Sequence, residues 1–321
     1  MKARLLKPDE TGPYEALARQ YGTLFNRADW LALFGDRIQA LGIFDEGGQM
    51  VGGVSLYQER RFGLRVFRRA PFTPTCGPFL EVKAQNPVAV LETWREAVES
   101  VAEFLDERSA AIVMMALDRR ITDALPFYWR GYKVVPNYTY LIDLAPPLDQ
   151  IRKNMSPGRR NDISKAARDG VTARLTTDMN VVRDLVLATF GRQEKHVDRP
   201  CLDDILFRYA NETNSFAVCA FREERPIATC FVVHDGHIGY YLLGGYRQED
   251  RHHGAGAVAV MEAIKHSQEI GLRTFDFEGS VIPAIERHFR GFGGQLTPYL
   301  TVNKAWLPLE MALKLRWRNR F

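Results

Sequence analysis

The chain has 321 residues, long enough for two domains. Hydrophobic residues make up 46% and charged residues 26%, which excludes a disordered or collagen-like protein. Lys+Arg 43 against Asp+Glu 39 leaves a net charge of +4, too small for bulk binding of DNA.

The first residues, Met1-Lys2-Ala3-Arg4-Leu5-Leu6-Lys7-Pro8, contain no apolar core of a signal peptide. Apolar runs such as Ala110 to Leu117 fall short of the roughly 20 residues a membrane helix needs. A soluble, cytoplasmic protein is expected. Gly12–Phe34 reads as helical. Ile38–Phe44 and Met50–Tyr57 flank a Gly-rich turn and read as a hairpin. A basic cluster follows, with Arg60, Arg61, Arg65, Arg68 and Arg69. Val88–Leu105 has a helical period, with Val90, Leu91, Trp94, Val98, Val101 and Leu105 on one face. Ala111–Leu117 suits a buried strand, Asp123–Gly131 a short helix and Tyr138–Leu144 a strand. Ala145-Pro146-Pro147 breaks the chain, so a first domain is placed at 1–145 and a second at 146–303, with a tail at 304–321.

The second half opens on a helix with Ser156 as N-cap, Pro157 at its first position and Gly170 past its end. This helix and its flanks hold a second basic cluster: Arg152, Lys153, Arg159, Arg160, Lys165, Arg168 and Arg174. Helices near Asn180–Phe190 and Leu202–Ala210 lead into strands Ser215–Phe221, Ile227–Val233 and Ile238–Tyr246. Asp235-Gly236 supplies the second turn. Ala255–Ile270 is a helix, Thr274–Phe277 a strand, Pro283–Arg290 a helix and Leu296–Val302 a last strand. Both halves therefore run from helices to a hairpin, a long helix, a strand and a short helix. Each short helix ends in an aromatic–Arg–Gly–aromatic run, Trp129-Arg130-Gly131-Tyr132 and Phe289-Arg290-Gly291-Phe292. The chain reads as two copies of one α+β unit.

Arg251-His252-His253-Gly254-Ala255-Gly256-Ala257 follows a predicted strand and opens a predicted helix. An R-x-x-G-x-G turn in this setting suits a pyrophosphate: glycine lets backbone approach the ligand, and helix-start N–H groups favour its charge. His252 and His253 read as tolerated spacers. The four cysteines Cys76, Cys201, Cys219 and Cys230 show no C-x-x-C spacing, and His234 and His237 read as exposed at a hairpin tip, so no metal is assigned.

The loop and its setting resemble the GNAT acyltransferase superfamily. The tandem arrangement is similar to the Fem family, whose members carry two GNAT-like domains. Arg159-Arg160-Asn161-Asp162-Ile163-Ser164-Lys165-Ala166 with Gly170-Val171, Phe275-Asp276-Phe277-Glu278-Gly279 and Phe289-Arg290-Gly291-Phe292-Gly293 carry that resemblance, with Arg290 where the family usually has lysine. It implies an α+β fold of two tandem GNAT-like domains with mixed central sheets and a cleft between them. It also implies transfer of an acyl or aminoacyl group to an amine. Fem members use aminoacyl-tRNA and act on peptidoglycan precursors, and some relatives use CoA. The first half lacks the phosphate loop, having Pro74-Thr75-Cys76-Gly77-Pro78 in its place, and reads as scaffold.

The leading expectation is an N-acyltransferase without a covalent enzyme intermediate. The backbone at Tyr246 and the loop Arg251, Gly254, Ala255, Gly256 and Ala257 would hold acyl-CoA as co-substrate. Glu278, at a strand end, is the candidate base, and Asp276 reads as structural. His288 is the candidate acid for the leaving thiolate, since histidine titrates near neutrality; its repeat counterpart is Tyr128. Arg159, Arg160 and Arg290 are candidates for phosphates of the acceptor or of tRNA. The alternatives are an aminoacyl-tRNA donor with a peptidoglycan-precursor acceptor, and a GNAT-fold module that binds without catalysis. In the tail, Trp306, Leu309, Leu313 and Trp317 share a helical face, beside Lys314, Arg316, Arg318 and Arg320. The Fem resemblance implies that this face packs back on the first domain rather than on a membrane.

Overall fold

The structure, a computed structural model, describes residues 1–192, 197–279 and 281–320. It divides into two compact units, one of residues 1–137 and 298–321, the other of residues 138–297.

In chain order the first half forms β1 (Lys2–Leu5), α1 (Thr11–Tyr21), α2 (Ala28–Leu31), β2 (Ile38–Phe44), β3 (Met50–Arg61), β4 (Leu64–Arg68), β5 (Phe79–Leu80), α3 (Pro87–Glu107), β6 (Ile112–Ala116), α4 (Leu125–Trp129) and β7 (Lys133–Asp143). The rest forms α5 (Leu148–Asn154), α6 (Pro157–Arg168), β8 (Thr172–Thr176), α7 (Met179–Arg192), α8 (Arg199–Asp204), β9 (Ser215–Arg222), β10 (Arg225–His234), β11 (Ile238–Tyr246), α9 (Ala255–Glu269), β12 (Thr274–Asp276), α10 (Pro283–Arg290), β13 (Gln295–Ala305) and α11 (Leu307–Trp317).

The strands of the first unit lie in the order β1-β2-β3-β4-β6-β13, with β5 also on β3. Those of the second lie in the order β8-β9-β10-β11-β12-β7. Each order holds one parallel pair, β4 with β6 and β11 with β12, among antiparallel neighbours. A parallel pair needs a crossover, and α3 and α9 supply it. Both units therefore repeat one mixed α+β pattern. The strand that closes each pattern comes from the other half of the sequence. Leu141–Asp143 of β7 pair with β12, and Thr301–Ala305 of β13 pair with β6. The unit boundaries fall inside these two strands, whereas Ala145-Pro146-Pro147 lies in the second unit, held by Gln268 Nε2 donating to the Leu144 and Pro146 carbonyls.

Each unit has its own core. Val98, Val101 and Leu105 of α3 pack with Leu41, Val54, Phe67 and Met115 in the first. Ala259, Val260, Ala263 and Ile264 of α9 pack with Val218, Cys230, Phe275 and Phe277 in the second. The stretch expected as one helix over Gly12–Phe34 is broken. α1 ends at Tyr21, and short 3-10 turns flank α2 at Leu24–Asn26 and Ala32–Arg37. The first basic cluster belongs to β3 and β4, apart from Arg69 just past β4. There Glu59 pairs with Arg61 at 2.6 Å and Arg68 at 2.8 Å, and Arg68 lies over the Tyr57 ring. The tail is α11, grouped with the first unit, where Lys133 Nζ donates to the Arg318 carbonyl at 2.7 Å. Of its expected buried face only Leu309 and Leu313 are half-buried, while Trp306 and Trp317 are exposed. That part of the expectation is corrected.

Candidate active site

The second unit brings α6, β11, α9, β12 and α10 together. β11 pairs with β10 from Gly239 to Tyr246, with a bulge at the step that skips Leu242. Its parallel pairing with β12 covers only Ile238–Tyr240 against Thr274–Asp276. From Tyr241 onward β11 continues while β12 ends, so the two strands part. The backbone of β11 on that side needs partners from elsewhere. A ligand with amide groups can supply them.

Next in the chain is the glycine loop. It begins after Tyr246, whose N–H and carbonyl both meet the Thr189 hydroxyl of α7, at 2.9 and 3.3 Å. The Tyr246 backbone, expected to hold the donor, thus meets Thr189 in this structure, and its carbonyl keeps a second lone pair. The loop itself is fastened to α6. His252 Nδ1 accepts the Gly254 N–H at 3.2 Å, and its Nε2 faces Asp169 at 3.1 Å. One imidazole thus accepts on Nδ1 and donates from Nε2, which fixes the neutral tautomer. The hydrogen bond from His252 holds the Asp169 carboxyl below its ordinary value. His253 Nε2 lies 3.3 Å from Asp162. These histidines are loop anchors, not spacers.

The two glycines differ in kind. A Cβ on Gly254 would stand 2.2 Å from the Asp162 carbonyl oxygen and 2.8 Å from Ala166 Cβ, so α6 demands glycine there. A Cβ on Gly256 would meet only His288 Cε1, at 3.9 Å. The protein leaves that space open. Gly254 is the N-cap of α9 and offers no side-chain cap to it. The first N–H groups of a helix lack intrahelical partners. Those of Gly256 and Ala257 therefore point from a capless end, with the positive end of the helix dipole behind them. Arg251, at the loop's start, is exposed.

Beyond β12, Phe275 and Phe277 are fully buried, as the alternation predicts. Asp276 is buried and accepts from the Thr139 hydroxyl at 2.5 Å and the Glu278 N–H at 2.9 Å, a structural role. Glu278 does not continue the strand. Its φ of +60 is left-handed, uncommon for a residue with a side chain. Gly279 follows at φ +71, where a Cβ would lie 1.9 Å from the Tyr138 carbonyl oxygen. This turn half-buries the Glu278 side chain beside the point where β11 and β12 part.

His288 lies on α10 among Phe289 and Phe292, next to Gly256. Burial, with help from the charges of Arg159 and His253, lowers its imidazole to about 3. It is therefore neutral near pH 7 and carries no imidazolium proton to give. Desolvation moves this histidine away from the near-neutral titration expected of its side-chain type. Tyr241, which sequence reasoning missed, stands where β12 pairing stops, against Phe275, Phe277 and Phe289. Burial pushes its phenol up, so it stays protonated.

The arginines also sort themselves. Arg159 is buried; its Nη1 meets Asp162 at 3.1 Å, its Nη2 donates to the His288 carbonyl at 3.0 Å, and its guanidinium lies 4.9 Å from the Phe292 ring centre. Arg160 donates to the Lys153 carbonyl at 2.8 Å and also to that of Met155. Both secure α6 to its neighbours; Arg159 is turned inward, whereas Arg160 is half-buried with these bonds made through Nη1. Arg290 is exposed, 3.4 Å from Glu286, and remains open to a ligand.

Residues 158–289, within the second unit, match the family described as the acetyltransferase (GNAT) domain. No curated protein matches the chain. Among solved structures the chain is similar to FemX, at 12% identity and a TM-score of 0.67, over 98% of this chain and 100% of that one. It is similar to the C-terminal domain of a putative lysylphosphatidylglycerol synthetase from Agrobacterium fabrum, at 12% identity and 0.58, over 95% of each chain. It is also similar to L-PGS from Bacillus licheniformis, at 13% identity and 0.54, over 99% of each. The family match takes in the glycine loop and β12 and reaches into α10 of the second unit. The chain as a whole has the fold of FemX, two tandem GNAT-like units.

Proposed function

We propose that the protein is an N-acyltransferase that takes its acyl group from acyl-CoA and gives it to an amine. The observation that carries this is the capless start of α9, where Gly256 leaves open space that a Cβ could fill. A pyrophosphate fits such an end through backbone N–H groups and the helix dipole. The pantetheine amides would then run along β11 where it has left β12, and the thioester would lie near Tyr241.

In the reaction the amine nitrogen attacks the thioester carbonyl. A C–N bond forms, the C–S bond breaks and CoA thiolate leaves. Glu278 takes the proton that the amine loses, directly or through a water. The Tyr241 phenol donates a hydrogen bond to the thioester sulfur or the developing oxyanion. His288, neutral, stands as a wall beside Gly256 in place of an acid. Arg290 meets a negative group of the acceptor.

A second reading keeps the site and replaces acyl-CoA with aminoacyl-tRNA. What favours it is that structures of the same fold include the C-terminal domain of a putative lysylphosphatidylglycerol synthetase, whose name implies an aminoacyl product. Titration calorimetry with acetyl-CoA, longer acyl-CoAs and charged tRNA tests both. Micromolar binding of a CoA thioester supports the first reading, whereas tRNA binding without CoA binding replaces it with the second. Glu278→Gln should then lower turnover at least 100-fold with donor affinity unchanged.

A further inference from the structure

We infer that the first unit docks on an anionic lipid surface through the exposed side of α11 and the tip of the β3–β4 hairpin. α11 buries little. Leu307, Met311 and Leu315 recur every four residues and so form one stripe, exposed at 71%, 65% and 92%. Trp306 precedes the stripe and is also exposed. At the hairpin tip Phe62 and Gly63 both have positive φ, and the tight turn thrusts Phe62 wholly into solvent. The two features are neighbours. Leu64, next to the tip, and Trp306, at the start of α11, line one cleft of about 420 Å³ together with Arg65 and Lys304. Exposed apolar groups gathered in this way mark an interaction surface.

The surrounding charge selects the occupant. Residues 306–320 hold Lys314, Arg316, Arg318 and Arg320 against Glu310. The hairpin adds Arg60 and Arg61 at the end of β3 just before Phe62, both exposed, with Arg61 paired to Glu59. A second copy of the chain would bring these like charges face to face, which opposes self-association. An anionic surface neutralises them while its acyl region receives Phe62, Trp306 and the stripe. An apolar face bordered by Lys and Arg is the pattern of a helix lying in a membrane interface. Among the described residues no helix is long and apolar enough to cross a membrane, so α11 lies along the surface. This placement is independent of the donor that the second unit binds.

The test is co-sedimentation of the full chain with vesicles of equal phosphatidylglycerol and phosphatidylcholine, and with phosphatidylcholine alone. Binding is expected only to the anionic vesicles, and it should fall at least tenfold between 50 and 500 mM salt. The double variant Met311→Glu/Leu315→Glu should weaken binding at least tenfold. Phe62→Ser should weaken it severalfold with an unchanged melting temperature, since that side chain packs on nothing that folding needs. Failure to bind anionic vesicles at low salt overturns the inference. Equal binding to neutral vesicles overturns the charge argument. A dimer in light scattering that Leu315→Glu dissociates, with no vesicle binding, replaces the lipid with a second copy.

Discussion

α3 and α9 hold the same place in their sheets, each crossing between the two parallel strands, yet they begin in opposite ways. α3 is closed by its own chain: the Asn86 side chain accepts the Ala89 N–H at 2.9 Å, and Pro87 at its first turn has no N–H to offer. A long segment, residues 69–86, separates β4 from this helix and lays β5 against β3. α9 follows β11 after the short loop 247–254 and starts on Gly254 with no side-chain cap. The residues at the ends of the short helices differ likewise. Tyr128 of α4 is 64% exposed, while His288 of α10 is half-buried beside the open helix start. One pattern thus carries a closed helix start in the first unit and an open one in the second, and only the open one suits the proposed anion site. The first unit gains a cap, and the second keeps unpaired donors available.

The comparison breaks most completely at Gly254. Gly254→Val would drive a side chain into the Asp162 carbonyl and should destabilise the second unit by about 3 kcal/mol or more, read from denaturant unfolding. Unchanged stability would mean that α6 does not set the loop. Next in size is an acid effect of His288. An unfolded histidine binds its proton near pH 6.5, and this folded one only near 3, so the unfolded chain holds more protons between those values. Stability is therefore full above pH 6.5 and falls as pH drops, by up to about 3 kcal/mol at pH 4. His288→Gln should flatten that slope, and Tyr128→Gln should leave it in place. Gly256→Val should weaken donor binding about 10–100-fold, roughly 1.4–2.8 kcal/mol, with little change in melting temperature. A parallel loss of stability would make Gly256 a packing glycine like Gly254. The smallest effect belongs to the closed helix: Asn86→Ala should cost about 1 kcal/mol of stability and leave donor binding untouched.

Much of the frame was legible in the sequence because it rests on local chemistry. Ser156 caps α6 as read, with its hydroxyl accepting the Arg159 N–H at 3.2 Å, and β11 and α10 fall on their expected residues. The Fem-like GNAT fold was likewise readable from the glycine loop and the Phe-Asp-Phe-Glu-Gly and Phe-Arg-Gly-Phe-Gly segments. β1, β4 and β8 were not readable, since each is short and interrupted by arginine. Site details were hidden wherever a distant residue decides them. Nothing near Tyr246 in sequence announces that Thr189 will take its backbone, and nothing near His252 announces Asp169. Arg159 and Arg160 carry the expected charge, but burial turns Arg159 inward and both meet carbonyl partners. The lowered His288 likewise comes from desolvation, which side-chain type alone does not encode.

The exchange of β7 and β13 has a consequence for how the chain can be divided. A gene split at Ala145 would yield a first fragment without the strand that borders β6, and a second without the strand that borders β12. Each fragment would present a bare sheet edge, a template for wrong pairing. The halves read as repeats of one unit, yet neither is a folding unit by itself. Mixed together, the fragments should trade strands and reconstitute the protein, each supplying the edge that the other lacks.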